Sequence, residues 1–187
     1  TERSDAAHPP QTSWPLRLLI ALSNPIDLHQ WGLAPIDIDR ERAEMEAALS
    51  PLRGLMEAVF LDPPISLDRI CQALEARPHI FHFLGHGTIS KSNQKAFLLL
   101  EDGVDRRARR VSQEEWLQRL LLLPAAPHLI FLGACESAVQ AAADGLIGMA
   151  QAFLQAGAGA VVAMRDKIGV EVAREFISRF YYQLATH

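Results

Sequence analysis

Two reactive side chains stand at matching places in two apolar segments. One segment runs His79-Ile80-Phe81-His82-Phe83-Leu84 into Gly85-His86-Gly87. The other runs His128-Leu129-Ile130-Phe131-Leu132 into Gly133-Ala134-Cys135-Glu136-Ser137. Each segment reads as a strand ending in a glycine-bearing turn that carries His86 or Cys135. If the two strands are neighbours, an imidazole and a thiol face each other at the rim of a sheet. A free thiol has a pKa of about 8.5 and is largely protonated at neutral pH. A nearby imidazole takes its proton or stabilises the thiolate. The amide N–H groups of Gly87 and Cys135 are then candidates to receive the negative charge of a developing oxyanion. Taken singly, each residue has a plainer reading. A strand-end cysteine is usually a small buried hydrophobe, and a lone histidine is usually a satisfied polar group.

The elements that must position these residues follow from periodicity and punctuation. Leu16–Leu22 is a near-continuous apolar run stopped by Ser23-Asn24-Pro25, as expected of a strand buried on both faces. Residues 39–49 read as a helix and 56–61 as a second strand. Ser66 fits a helix N-cap ahead of Leu67, Ile70, Cys71 and Leu74 on one helical face. Residues 79–84 form the third expected strand and 96–100 the fourth. Glu101-Asp102-Gly103 reads as a hairpin turn leading to Val111. Ser112 with Glu115 makes a capping box before Trp116, Leu117 and Leu120. Residues 129–132 are expected as a strand and 145–155 as a helix stopped at Gly157. A strand at 160–164 and a closing helix at 170–184 complete the order. Alternating strands and helices predict an α/β fold, with a mostly parallel sheet, helices on both faces and one small hairpin. Reactive residues in such sheets gather just past the carboxyl ends of the strands.

Composition excludes several classes. The chain has 187 residues, with 18 Lys and Arg against 22 Asp and Glu, for a net charge of −4. A strongly basic nucleic-acid-binding surface is not expected, so no direct nucleic-acid partner is predicted. An apolar fraction of 49% suits a single globular domain. Two cysteines do not make a disulfide scaffold and suit a reducing compartment. No apolar run reaches the roughly 18 residues that span a bilayer, so no membrane partner and a cytoplasmic location are expected. Residues 1–15 hold Pro9, Pro10 and Pro15 without apolar periodicity, and read as a linker or disordered lead-in. Residues 16–187 are expected to be the folded domain, a fragment of a longer protein.

Pocket residues are less legible. Recognition of a basic side chain needs a carboxylate, and of an acidic one an arginine. Asp166 follows the strand at 160–164, with Arg165 and Lys167 beside it. Asn24 ends the first strand. Asp166 and Asn24 are the candidate substrate-binding residues, with Glu136 a third. Each has a bland alternative, a solvated charge or a turn-former. His79 and His82 alternate across a strand, so with His86 they make no tetrahedral metal set, and no metal or other cofactor is expected. Gly157-Ala158-Gly159 precedes a strand and reads as a helix stop, not a dinucleotide loop. Arg106-Arg107-Ala108-Arg109-Arg110 is a solvated hairpin, a surface for an acidic protein partner, or a loop that the domain itself cuts.

Several of these segments resemble one family. Phe81-His82-Phe83-Leu84-Gly85-His86-Gly87 resembles the H-x-x-G-H-G segment of CHAT domains, which are caspase-like. Leu132-Gly133-Ala134-Cys135-Glu136-Ser137-Ala138 resembles their A-C-x-[ST] segment, with Ala138 where many relatives have glycine. Residues 145–158 resemble the helix leading to their A-G-A turn, 160–164 their next strand, and Phe180-Tyr181-Tyr182 with Leu184 their F-Y-x-x-L ending. His86 precedes Cys135 by 49 residues, close to the spacing of about 50 in caspases. The resemblance spans residues 16–187. It implies a caspase-like three-layer α-β-α sandwich, related to caspases and separase. It implies a Cys-His dyad at Cys135 and His86 and an oxyanion site at the Gly87 amide. It also implies a protein substrate and control by a fused sensor domain or a partner. The expected activity is that of a cysteine endopeptidase. A catalytically silent caspase-like binding or scaffold module, and a Cys-dependent acyl transferase or hydrolase on small molecules, remain open beside it.

Overall fold

The apolar run Leu16–Leu22 forms strand β1, in which every residue but Arg17 is buried. A strand apolar on both faces belongs inside a parallel sheet covered by helices on each side, and that is its place. The computed structural model describes residues 14–90, 95–134, 149–164 and 170–186. Strands β2 (Met56–Phe60), β3 (Ile80–Ile89), β4 (Ala96–Glu101), β5 (Ala108–Ser112), β6 (Leu129–Ala134) and β7 (Ala160–Ala163) follow β1. The helices are α1 (Ile38–Leu49), α2 (Leu67–Leu74), α3 (Gln113–Leu120), α4 (helical residues 149–155) and α5 (Val170–Thr186).

Five strands run parallel in the order β2, β1, β3, β6, β7. The hairpin β4–β5 pairs antiparallel with the carboxyl-terminal part of β3. The pleat sends alternate side chains to opposite faces. From β1, Leu16, Leu18, Ile20 and Leu22 pack toward α1 and α5, with Met45, Leu49, Tyr181 and Ala185. Leu19 and Ala21 pack toward α2, α3 and α4, with Ile70, Leu74, Trp116 and Phe153. These two cores sandwich the sheet, which gives the three layers expected. The expected caps are present. The Ser66 hydroxyl accepts the Arg69 N–H at the start of α2, and the Ser112 hydroxyl accepts the Glu115 N–H at the start of α3. The Glu115 carboxylate does not return the bond to Ser112. It pairs with Arg109 instead.

The structure departs from expectation at two places that matter. Strand β3 does not stop at Leu84 but continues to Ile89. On one edge its parallel neighbour β1 gives out at Leu22, and β4 then takes over the pairing on that edge, so the ladder has no reason to end. Glu101 is not a turn residue. It closes β4 fully buried, its charge met by Arg106 at 3.0 Å and by the N–H groups of Asn24 and Ile65. The turn itself spans 102–107. The lead-in at 1–13 and the expected start of the helix at 145–148 lie outside the described residues.

Candidate functional site

Parallel pairing of β3 with β6 runs from Ile80↔Leu129 to Gly85↔Ala134. The next residue on β3 is His86, and the next in sequence after Ala134 is Cys135. Directly paired residues of parallel strands lie about 4.8 Å apart across the ladder. Cys135 and Glu136 lie outside the described residues, and the geometry of the site is that of β3, β4 and the last pairs of β6.

Two glycines leave room for close neighbours at these strand ends. A Cβ on Gly85 would stand 2.6 Å from the ring of Phe83 and 3.3 Å from Ser23, and one on Gly133 would stand 2.9 Å from Leu84. Neither has a positive φ. Their role is close approach within the sheet, and neither lies in the turn expected at these strand ends.

His86 lies inside β3, paired with Leu99 of β4, and so is not in a turn. It is fully buried, and neither ring nitrogen has a hydrogen-bond partner among the described residues. Burial lowers its pKa below the usual imidazole value. The Ala34 main chain opposes that in part, short of a geometric hydrogen bond. The ring is therefore neutral at physiological pH, with a free lone pair to accept a proton. Its other potential neighbour on that face, His82, has its Nδ1 2.7 Å from the Tyr181 hydroxyl and stacks on Phe131.

Gly87 pairs with Leu98. The Leu84 carbonyl accepts the Ser23 N–H on the β1 side, and the Ser90 N–H donates to Lys95 on the β4 side. Main-chain groups of successive strand residues alternate between the two edges. The N–H of Gly87 is thereby turned to the other edge, along which β6 runs.

Asn24 follows β1, but its side chain is committed. Its Nδ2 donates to the Ile36 carbonyl at 3.0 Å, and its Oδ1 accepts the Ile36 N–H at 2.9 Å. Asn24 thus closes the connection from β1 to α1, a segment that lies on the face of the sheet where His86 sits. The Ser23 hydroxyl donates to the Leu99 carbonyl at the base of that segment.

The family model for the CHAT domain matches residues 1–187. The chain belongs to the CHAT domain family. A CHAT domain is a caspase-like domain related to clan CD, and the mostly parallel sheet with its added hairpin is consistent with that fold. No curated protein matches the sequence.

The other sequence candidates of this CHAT domain divide cleanly. Asp166, with Arg165 and Lys167, lies outside the described residues. Cys71 is buried in the α2 face of the core, and burial pushes its thiol pKa up, so it is core as expected. The arginine cluster is mostly neutralised within the chain. Arg106 pairs with Glu101, Arg107 with Asp105 and Arg109 with Glu115. Among the described residues no group of three or more His, Cys, Asp or Glu is placed to hold a metal ion, and no helix is long and apolar enough to cross a membrane. Sequence reading missed Ser23, Ala34 and Glu101 as neighbours of the site. The signal available for Glu101 was a carboxylate set directly after the apolar run of β4, with an arginine five residues on.

Proposed function

We propose that this CHAT domain is a cysteine endopeptidase. Cys135 Sγ attacks a peptide carbonyl carbon while its proton passes to His86. The Gly87 and Cys135 amides receive the oxyanion, and His86 returns the proton to the leaving amine. Water then hydrolyses the thioester, which frees the acid and restores the thiol. The observation that carries this reading is the register. Gly85↔Ala134 is the last described pair, and the proposed base and nucleophile are the next residue of each chain. Two features support it. The neutral ring of His86 suits a general base more than a resting imidazolium. The Gly87 N–H is directed to the edge along which β6 runs. The substrate is a protein, Asp166 is the candidate acid of its specificity pocket, and a fused domain or partner controls access.

Incubation with a library of fluorogenic peptides tests the reading. Cleavage is expected, and its persistence in Cys135→Ala would reject the assignment. A second reading, a silent caspase-like binding module, is favoured by the complete burial of His86. A thiol-reactive peptide probe separates the two. Labelling at Cys135 supports the peptidase, and its absence even with partners supplied supports the module.

A further inference from the structure

Of the four arginines in the β4–β5 hairpin, Arg110 differs from the rest. The other three are held by carboxylates of the chain. Arg110 has no carboxylate partner among the described residues. Its guanidinium lies instead over the ring of Trp31, 4.7 Å from the centroid, and 5.9 Å from that of Phe97. Stacking fixes the plane of a guanidinium and leaves its N–H edge free, the edge that binds a carboxylate through two parallel hydrogen bonds. Arg110 is exposed, so that edge is open to solvent.

Its position in the sheet gives this edge a purpose. His86 pairs with Leu99, and Leu99 pairs with Arg110. Residues directly opposite in antiparallel strands project from the same face, so His86 and Arg110 stand in one row two strands apart, roughly 10 Å. Trp31 comes from the β1–α1 connection, the same segment whose Ala34 main chain adjoins His86. An extended peptide advances about 3.4 Å per residue, so that distance is about three residues of substrate.

We propose that Arg110, held flat by Trp31 and Phe97, is a specificity residue that binds an acidic side chain of the protein substrate roughly three to four residues from the bond cut. The inference rests on the peptidase reading for the peptide being a substrate, but its binding step does not. Binding is therefore measured on the Cys135→Ala chain, with two fluorescent pools of degenerate octapeptides. One pool carries a fixed Glu and the other a fixed Gln at the same position. The Glu pool is expected to bind roughly tenfold more tightly, the worth of one charge-assisted bidentate contact. Arg110→Gln should abolish that ratio. Arg110→Lys, which keeps the charge but loses the planar stacking and the fork, should reduce it. If Arg110 merely staples the hairpin to Trp31, the ratio is unity in every variant, and the proposal falls. A Glu preference that survives Arg110→Gln also overturns it. Cleavage by the unsubstituted chain separates the two readings. Cleavage without Glu preference rejects Arg110 and leaves the peptidase. Glu-selective binding without cleavage of either pool, even with partners supplied, keeps Arg110 and rejects the peptidase.

Discussion

The two faces of the sheet are built to different rules. Under α2, α3 and α4, Phe81, Phe83, Ile130 and Leu132 meet Ile70, Leu74, Trp116 and Phe153 in an apolar layer. The opposite face of the sheet carries His82 and His86 of β3 and Glu101 of β4, all buried. His82 is matched at Nδ1 by Tyr181 and Glu101 by Arg106, whereas neither ring nitrogen of His86 has a partner among the described residues. A buried polar group without a partner destabilises a fold by about 1–3 kcal/mol. The apolar face carries one such atom, Trp116 Nε1, whereas the other carries a whole imidazole without a partner among the described residues, where the proposed chemistry needs one.

Substitution of His86 would break or sharpen that contrast most. His86→Ala should lower kcat/KM on a fluorogenic peptide by about 10²–10⁴-fold, the usual worth of a general base. The same variant should cost less stability than truncation of an apolar ring on the other face, because it leaves a cavity but breaks no hydrogen bond to the described residues. Lost activity together with a large loss of stability would mean that the ring is structural, and the two faces would then be alike.

Phe81→Ala probes the other face, where the ring is fully buried and lies 6.5 Å from Trp116. Removing a buried aromatic side chain destabilises by about 3–5 kcal/mol. Urea unfolding should report that loss. A change below about 1 kcal/mol would show the apolar layer to be loosely packed.

The titration of His82 is expected to be the next largest effect. Full burial lowers its pKa from 6.5 to about 3, and burial moves His86 in the same direction. The unfolded chain takes up protons below about pH 6.5 that the folded chain refuses. Stability is therefore present above that pH and is lost as pH falls toward 3, by about 1.4 kcal/mol per unit for His82, with His86 acting in the same direction. Urea midpoints measured between pH about 7 and about 5 check the slope, and His82→Phe should flatten it. A midpoint independent of pH would mean that both rings are protonated in the fold.

How much of this contrast was legible beforehand depends on the range of the interaction responsible. The α2 helix, with its Ser66 cap and its stripe of Leu67, Ile70, Cys71 and Leu74, could be read directly, because caps and periodicity are local. So could β1, from a run apolar on both faces. The extension of β3 to Ile89 could not, since its partner β4 is brought in by the hairpin and leaves no mark in the β3 segment itself. Asn24 could be read as a turn-former or as a pocket residue, but the hydrogen bonds that hold its side chain to Ile36, twelve residues on, leave no mark in the sequence. His86 was identified from its residue type and its glycines, but its burial depends on the chain that covers it. For Cys135 and Asp166 the spacing in the sequence and the register up to Ala134 remain the guide.

The smallest expected effect tests whether the scaffold face is separable from the site at all. Ser112 caps α3 through its hydroxyl, which accepts the Glu115 N–H at 3.2 Å. Ser112→Ala leaves one amide of the first turn without that acceptor and should lower stability by about 1 kcal/mol. Glu115 remains paired with Arg109, so the hairpin stays attached to α3. Ser112 also pairs with Phe97 across the ladder, and Phe97 is one of the two rings beside Arg110. If the faces are independent, urea unfolding registers the lost cap while kcat/KM on Glu and Gln peptides keeps its ratio. If that ratio moves with so small a change, the cap, the hairpin and the stacked guanidinium form one unit, and the layer taken here as scaffold also sets specificity.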